Sequence, residues 1–422
     1  MRILGAISRL VTGLVFILSG FIKAMDPIGG ALKIDEYLKA FKMGFLEFVS
    51  LPSAVALACA EFLIGVCVLK GIRMRFFASA ALVFTSFFTL LTLYSAIFNP
   101  VQDCGCFGEA LHLTNWQTFY KNIVLLACAS VLFSQRKKFR PIAAPVWKNI
   151  YVACYAIFIL GISSYAIAFL PQIDFGQFKA GTDIVASLAE KPEMEYHMTL
   201  IYSKDGVEKE FTLENLPDST WSFVDSHTKL ISGSESSAGA FNFVLRNEVG
   251  YEITEEIISS DRPLFFISIY NPDKISDQTT DQINTLYYNA TALGADFYLL
   301  NATSEEFPSI VAPALQTDYK TALALNRSNG GLTYINDGIV AEKWSKRNYP
   351  EKMEKILGED SEILTANVVI REQIFGETCL VIVLFMVLIV RFISKRIYFK
   401  SLANLQQESE ENSAEEITVD SK

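Results

Sequence analysis

Six stretches of this chain, at about 7–25, 52–70, 77–98, 120–134, 149–170 and 376–393, are apolar over lengths that approach the thickness of bilayer hydrocarbon. Inside lipid a backbone must satisfy its own hydrogen bonds, so runs of this length are expected as helices of a multi-span membrane protein. A hydrophobic share of 51% beside a formal charge of −10 fits that reading, because the acids gather outside the apolar runs. The lipid bilayer is therefore the first expected partner. Nucleic acid is excluded as a partner, since the soluble part offers no basic face for a phosphate backbone. The fourth run is short, with Trp116 to Tyr120 expected at its interfacial end. The first lacks a small-residue cleavage site ahead of Asp26-Pro27 and is read as a retained span.

Basic residues fix the expected orientation. Arg2 and Arg9, then Lys70, Arg73 and Arg75, then Arg136, Lys137, Lys138, Arg140 and Lys148, and finally Arg391, Lys395, Arg396 and Lys400 all flank alternate connections. With six spans these clusters share one side, the cytoplasmic side by the positive-inside rule. The loop near 26–51, the loop 99–118 and the region 172–375 then face outward, in a multi-pass protein of a bacterial inner membrane. The tail after Lys400 is acidic and poor in apolar residues, and is expected to be disordered.

Cys59, Cys67, Cys128, Cys154 and Cys379 lie within apolar runs, where cysteine acts as a small hydrophobe. Only Cys104 and Cys106 stand in a polar segment, Asn99-Pro-Val-Gln-Asp-Cys-Gly-Cys-Phe-Gly-Glu109. Two cysteines separated by one glycine can come within disulfide distance. The small ring is strained, and strain makes it easier to reduce. Gly105 and Gly108 supply the backbone freedom it needs. Three readings stand side by side: a redox-exchange pair, a disulfide that locks a tight loop, and a metal site with His112. The last falls short of the usual zinc ligand set, so no metal is expected. Glu61 lies near the middle of the second run, where an ionisable group is costly and normally has a partner. Arg9 and Lys23 are its candidate partners. Glu61 is either a proton carrier or quinone-headgroup ligand, or one half of a structural ion pair. Gly13 and Gly20, with Ser19, form a small-residue face suited to close helix packing.

Between the fifth and sixth runs the pattern changes. Met198–Tyr202 and Lys209–Leu213 flank an Asp-Gly turn and read as a hairpin. Strands are expected at Ala240–Leu245, Leu264–Tyr270 and Asp296–Leu300, and helices at Ser276–Leu293, Tyr319–Asn326 and Pro350–Leu357. A terminal hairpin is expected over Leu332–Trp344 around Asn336-Asp-Gly338. Strands alternating with helices predict an α/β domain.

Two resemblances follow from these residues. Arg9-Leu-Val-Thr-Gly13, Phe16-Ile-Leu-Ser-Gly20, Lys23-Ala-Met-Asp-Pro27 and Asp103-Cys-Gly-Cys-Phe-Gly108 with Leu113-Thr-Asn-Trp116 resemble the DoxX and MauE type of small membrane protein. That resemblance implies a four-helix membrane bundle linked to electron transfer or disulfide chemistry. Region 240–358 resembles, in element order, a thioredoxin-like fold of the membrane-anchored TlpA type. It departs from that family where chemistry resides. Asn271-Pro-Asp-Lys274 stands in place of Cys-x-x-Cys, and Asn329-Gly330-Gly331 in place of the cis-proline. Without a thiol there is no nucleophile, so the module is expected to be catalytically silent.

The expected fold class is an α-helical membrane bundle, four-helix DoxX/MauE-like plus two further spans, with an inserted α/β thioredoxin-like domain. Its expected divisions are 1–135 (four-span domain), 136–171 (basic loop and fifth span) and 172–239 (β-rich linker region). They continue with 240–358 (degenerate thioredoxin-like domain), 359–400 (connector, sixth span and basic flank) and 401–422 (acidic tail). The expected function is a relay of electrons or thiol–disulfide equivalents at the outer face, with Cys104 and Cys106 as the redox pair and Glu61 as the intramembrane site. An extracytoplasmic protein is its client and a membrane quinone is the candidate cofactor. The alternative is a non-enzymatic scaffold whose silent domain binds a partner.

Overall fold

The computed structural model describes residues 2–101, 105–138, 145–189, 195–204, 207–212, 222–232, 243–303, 307–383 and 385. Cys104, part of the sixth apolar run and the acidic tail lie outside them.

The N-terminal region is helical: α1 (Arg2–Met25), α2 (Pro27–Ala40), a 3₁₀ turn (Gly44–Val49), α3 (Ser50–Lys70), α4 (Met74–Phe98), α5 (Asn115–Gln135) and α6 (Pro145–Ala168). Among the described residues, four segments, Ile3–Met25, Gly44–Lys70, Met74–Phe98 and Asn149–Ala168, are long and apolar enough to cross a membrane. The fourth expected span forms α5, which is not among them because Asn115, Gln117, Lys121, Asn122, Ser130 and Ser134 dilute its apolar residues. Residues 361–383, here α12, are helical as well.

The bundle is apolar outside and more polar within, as a lipid solvent demands. Leu4, Ile7, Leu14 and Leu18 form an exposed stripe on α1, and Phe76, Val83, Phe87, Leu90 and Ile97 one on α4. The inward face of α4 carries Thr85, Thr89 and Thr92, all buried, and each hydroxyl donates to the carbonyl four residues back at 2.6–2.7 Å. That satisfies hydroxyls with no water to turn to. Helices α1 and α3 cross closely through glycines. A Cβ on Gly65 would lie 2.6 Å from the Ile17 nitrogen and 2.8 Å from the Gly13 carbonyl, and one on Gly20 would lie 2.7 Å from the Ala58 carbonyl. Small residues let the backbones approach in this way.

The expected outer loop near 26–51 is mostly helix, a correction to the sequence reading. Pro27 opens α2 with its φ already helical, and Asp26 caps it by accepting from the Gly29 amide at 2.8 Å. A helix this short leaves little periodic signal.

After α7 (Ile184–Ala189), strands β1 (Glu195–Lys204), β2 (Val207–Thr212) and β3 (Ser222–Ser232) form an antiparallel sheet in the order β2-β1-β3. Lys204 pairs with Val207 where β1 and β2 meet, and the expected turn residues Asp205-Gly206 lie outside the described residues. Next come α8 (Thr254–Ile258), β4 (Leu264–Ile269), α9 (Asp277–Ala292), β5 (Asp296–Asn301) and β6 (Ala314–Gln316). The domain closes with α10 (Tyr319–Leu325), β7 (Gly331–Asn336), β8 (Ile339–Trp344) and α11 (Met353–Gly358).

These strands build a mixed sheet ordered β6-β5-β4-β7-β8, with β4, β5 and β6 parallel and β7 antiparallel to both neighbours. Central β4 is buried along its whole length and splits its side chains between two cores. Phe265, Ile267 and Ile269 face Ile283 and Leu286 of α9 with Met353 and Ile356 of α11. Leu264 and Phe266 face Ile184, Phe243, Ile258 and Leu325. That double burial is why β4 reads as continuous apolar sequence rather than alternation. The strand expected at Ala240–Leu245 is not formed by its described residues, 243–245. Phe243 and Leu245 instead fill the second core, and only Arg246 pairs as an isolated bridge.

Candidate functional site

The acid singled out in the second apolar run meets its partner. Glu61 is buried on α3, its Oε1 lies 2.5 Å from Lys23 Nζ of α1, and its Oε2 lies 2.7 Å from Ser19 Oγ. Arg9, the other candidate, is engaged elsewhere and donates to the Val68 and Leu69 carbonyls at the end of α3. Ser19 and Lys23 stand four residues apart, so one face of α1 presents both to Glu61.

Ser19 Oγ also lies 2.7 Å from the Cys106 carbonyl. One hydroxyl proton can serve only one of two acceptors at a time. The cysteine loop is thereby hydrogen-bonded into an acid–base pair within the bundle. Gly105 and Gly108 of that loop have φ of 60° and 55°, in the left-handed region that glycine tolerates. Asn115 Nδ2 steadies the loop by donating to the Val101 carbonyl and to Asn99 Oδ1 at 2.9 and 2.8 Å. Lys121 of α5 lies over the Phe107 ring at 4.5 Å. A cavity of about 260 Å³ adjoins the loop, and Tyr37, Phe41, Phe87, Phe88, Lys23 and Cys106 are among its lining residues.

The α/β region meets the bundle end that bears this loop. Arg327, which follows α10, is buried, and its Nη2 lies 2.9 Å from Asp26 Oδ2 and 2.6 Å from Glu109 Oε1. Nη1 donates to the Leu323 carbonyl at 3.0 Å. Burial opposes the Arg327 charge, but Asp26, Glu109 and Asp174 outweigh it and hold the guanidinium above its already high value. Asp174 is likewise opposed by burial, yet Lys343 Nζ at 2.8 Å and the Gly176 amide hold its carboxyl below the usual range. Lys320 reaches Glu36 of α2 at 2.6 Å.

Asn271-Pro-Asp-Lys274, the segment that departs from Cys-x-x-Cys, follows β4 and includes a 3₁₀ turn, Pro272–Lys274. Asn329 pins it: its Oδ1 accepts from the Tyr270 and Asn271 amides at 3.0 Å, and its Nδ2 donates to the Asn271 carbonyl at 2.7 Å. The Tyr270 hydroxyl donates to the Arg327 carbonyl at 2.7 Å. Burial raises the pKa of that hydroxyl, which keeps it a donor.

Of the residues expected at the site, Glu61 and Cys106 share one hydrogen-bonded line, and Cys104 lies outside the described residues. Among the described residues no metal-binding set of His, Cys, Asp or Glu comes together. Sequence reasoning missed Arg327, Asp26 and Glu109. Their only signal is chemical: a lone arginine between the apolar turn of α10 and Gly330-Gly331, and acids at the margins of apolar runs.

Fold and site together define a helical membrane protein carrying a mixed α/β sheet domain. Residues 1–135 match the family described as methylamine utilisation protein MauE, so this third of the chain is MauE-like. Residues 196–233, which span β1 to β3, match a family described only as a domain of unknown function (DUF8463). No curated protein and no solved structure matches the chain.

Proposed function

We propose that the protein is a membrane redox partner, in which Cys104 and Cys106 relay thiol–disulfide equivalents from an extracytoplasmic client to a lipid-soluble acceptor of the quinone class. The observation that carries this reading is the line Lys23–Glu61–Ser19–Cys106, which ties the cysteine loop to a buried acid–base pair. Oxidising two thiols to a disulfide releases two electrons and two protons. These convert a quinone to its quinol, so the exchange balances. Glu61, linked through Ser19 to the Cys106 carbonyl, is the buried carboxylate assigned to take up a proton released at the loop. The ring-lined cavity beside Cys106 offers apolar walls to a flat acceptor drawn from lipid. The basic clusters favour an outward-facing loop in a bacterial inner membrane, where oxidation is permitted. The α/β region, which resembles a TlpA-type thioredoxin-like module without its thiols, is the docking module, and the product of the relay is oxidised, maturing extracytoplasmic protein.

Trapping of thiols in intact cells tests this. Cys104 and Cys106 are expected to shift from blocked to reactive when growth moves from oxidant to reductant, and identical labelling in both conditions sinks the relay. A scaffold is the second reading, supported by Asn271-Pro-Asp-Lys274 at the place of a redox motif. Replacing both loop cysteines by serine decides between them: retained function favours the scaffold, and loss at normal membrane abundance favours the relay.

A further inference from the structure

The α/β domain reaches the cysteine loop through one buried cation. Arg327 takes one carboxylate from the bundle, Asp26, and one from the loop itself, Glu109, three residues beyond Cys106. Both acids lie within hydrogen-bond reach of the same nitrogen, so without the guanidinium two partly buried carboxylates face each other. Helix α2 completes the clamp. Its Lys33 packs against Gly105, where an added Cβ would lie 3.0 Å from Lys33 Cγ, and its Glu36 pairs with Lys320 of the α/β domain. Lys320 is 63% exposed, so its pair adds little, and the buried fork of Arg327 dominates.

We infer that Arg327 is a positioning residue for the cysteine loop, and that the β4–α10 end of the α/β domain is engaged in cis by the outer end of its own bundle, so that a client docks on another face of the domain. The inference rests on the relay reading for its purpose, because a positioned loop matters only if its thiols react. Asn329 and Tyr270 extend the clamp: the one pins the segment after β4, and the other bonds the Arg327 carbonyl. The place where a redox motif is missing thus supports the arginine that holds a redox loop belonging to another part of the chain.

The test uses the full chain in detergent or nanodiscs, in a Cys104→Ser background so that redox state plays no part. Hydrogen exchange is read over 105–111 and over β4 and β7, and the alkylation rate of Cys106 is read by peptide mass spectrometry. Arg327→Glu is expected to speed exchange of 105–111 and alkylation of Cys106 by at least about tenfold while β4 and β7 stay protected. Arg327→Lys is expected to hold part of that protection, and Arg327→Glu combined with Glu109→Arg to restore it. Unchanged exchange and alkylation in Arg327→Glu overturn the inference. So does equal loosening of β4 and β7, which makes Arg327 a general stabiliser of its domain. Either failure leaves the relay open, because no electron transfer is measured.

Discussion

At the scale of single residues, the account turns on a carboxylate whose neighbours are few and close. Glu61 has Lys23 at 2.5 Å and Ser19 at 2.7 Å inside the helical bundle. Removing one member of such a pair leaves the other charge uncompensated, which costs about 3–5 kcal/mol in buried settings. Lys23→Met is therefore expected to lower the melting temperature of the purified protein more than Lys23→Met with Glu61→Gln does. Equal losses in thermal unfolding would show that the two do not interact. A pH effect belongs at this scale too. Asp174 titrates below its ordinary value beside Lys343, so its stabilisation is complete above that ordinary value and is lost as pH falls through the lower, folded one. Lys343→Met is expected to shift acid unfolding to higher pH, and an unmoved acid midpoint would contradict the pairing. Glu61 was legible because an acid within an apolar run is conspicuous. Ser19 was legible only as a small residue, since its second role depends on a loop 87 residues away. Arg327 was not legible, because both of its acids come from distant parts of the chain.

At the scale of elements, the crossing of α1 and α3 is the rigid frame of the site. Gly65 has backbone of α1 within 2.8 Å of where a Cβ would stand, whereas Gly161 of α6 has nothing within 4 Å. Gly65→Val is expected to destabilise by at least about 1–3 kcal/mol through overpacking. Gly161→Ala is expected to be neutral or to stabilise by up to about 1 kcal/mol through helix propensity. Thermal unfolding of the two variants checks this, and a tolerant Gly65 would contradict the close crossing. The long helices and β4, α9, β5, β7 and β8 could be read from the sequence because each has a sustained period or an unbroken apolar run. Helix α2, with Gly29 and Gly30 in its first turns, and the three-residue β6 could not, since their stability comes from a cap and from neighbouring strands. Ala240–Leu245 misled because Phe243 and Leu245 are buried as loop residues, and burial alone imitates a strand.

For the whole molecule, the α/β domain and the loop at Cys106 meet at the same end of the helical bundle, joined by Arg327, Lys320 and the segment at Asp174. That arrangement fits the expectation from the basic clusters, which predicts one side for both. Side and chemistry can be read in one measurement: labelling of Cys106 by a membrane-impermeant thiol reagent in sealed right-side-out vesicles, before and after a mild reductant. Low labelling is expected that rises strongly on reduction, and falls again when a short-chain quinone is added. Labelling that needs the vesicles to be broken open, or that ignores both reductant and quinone, would contradict that expectation.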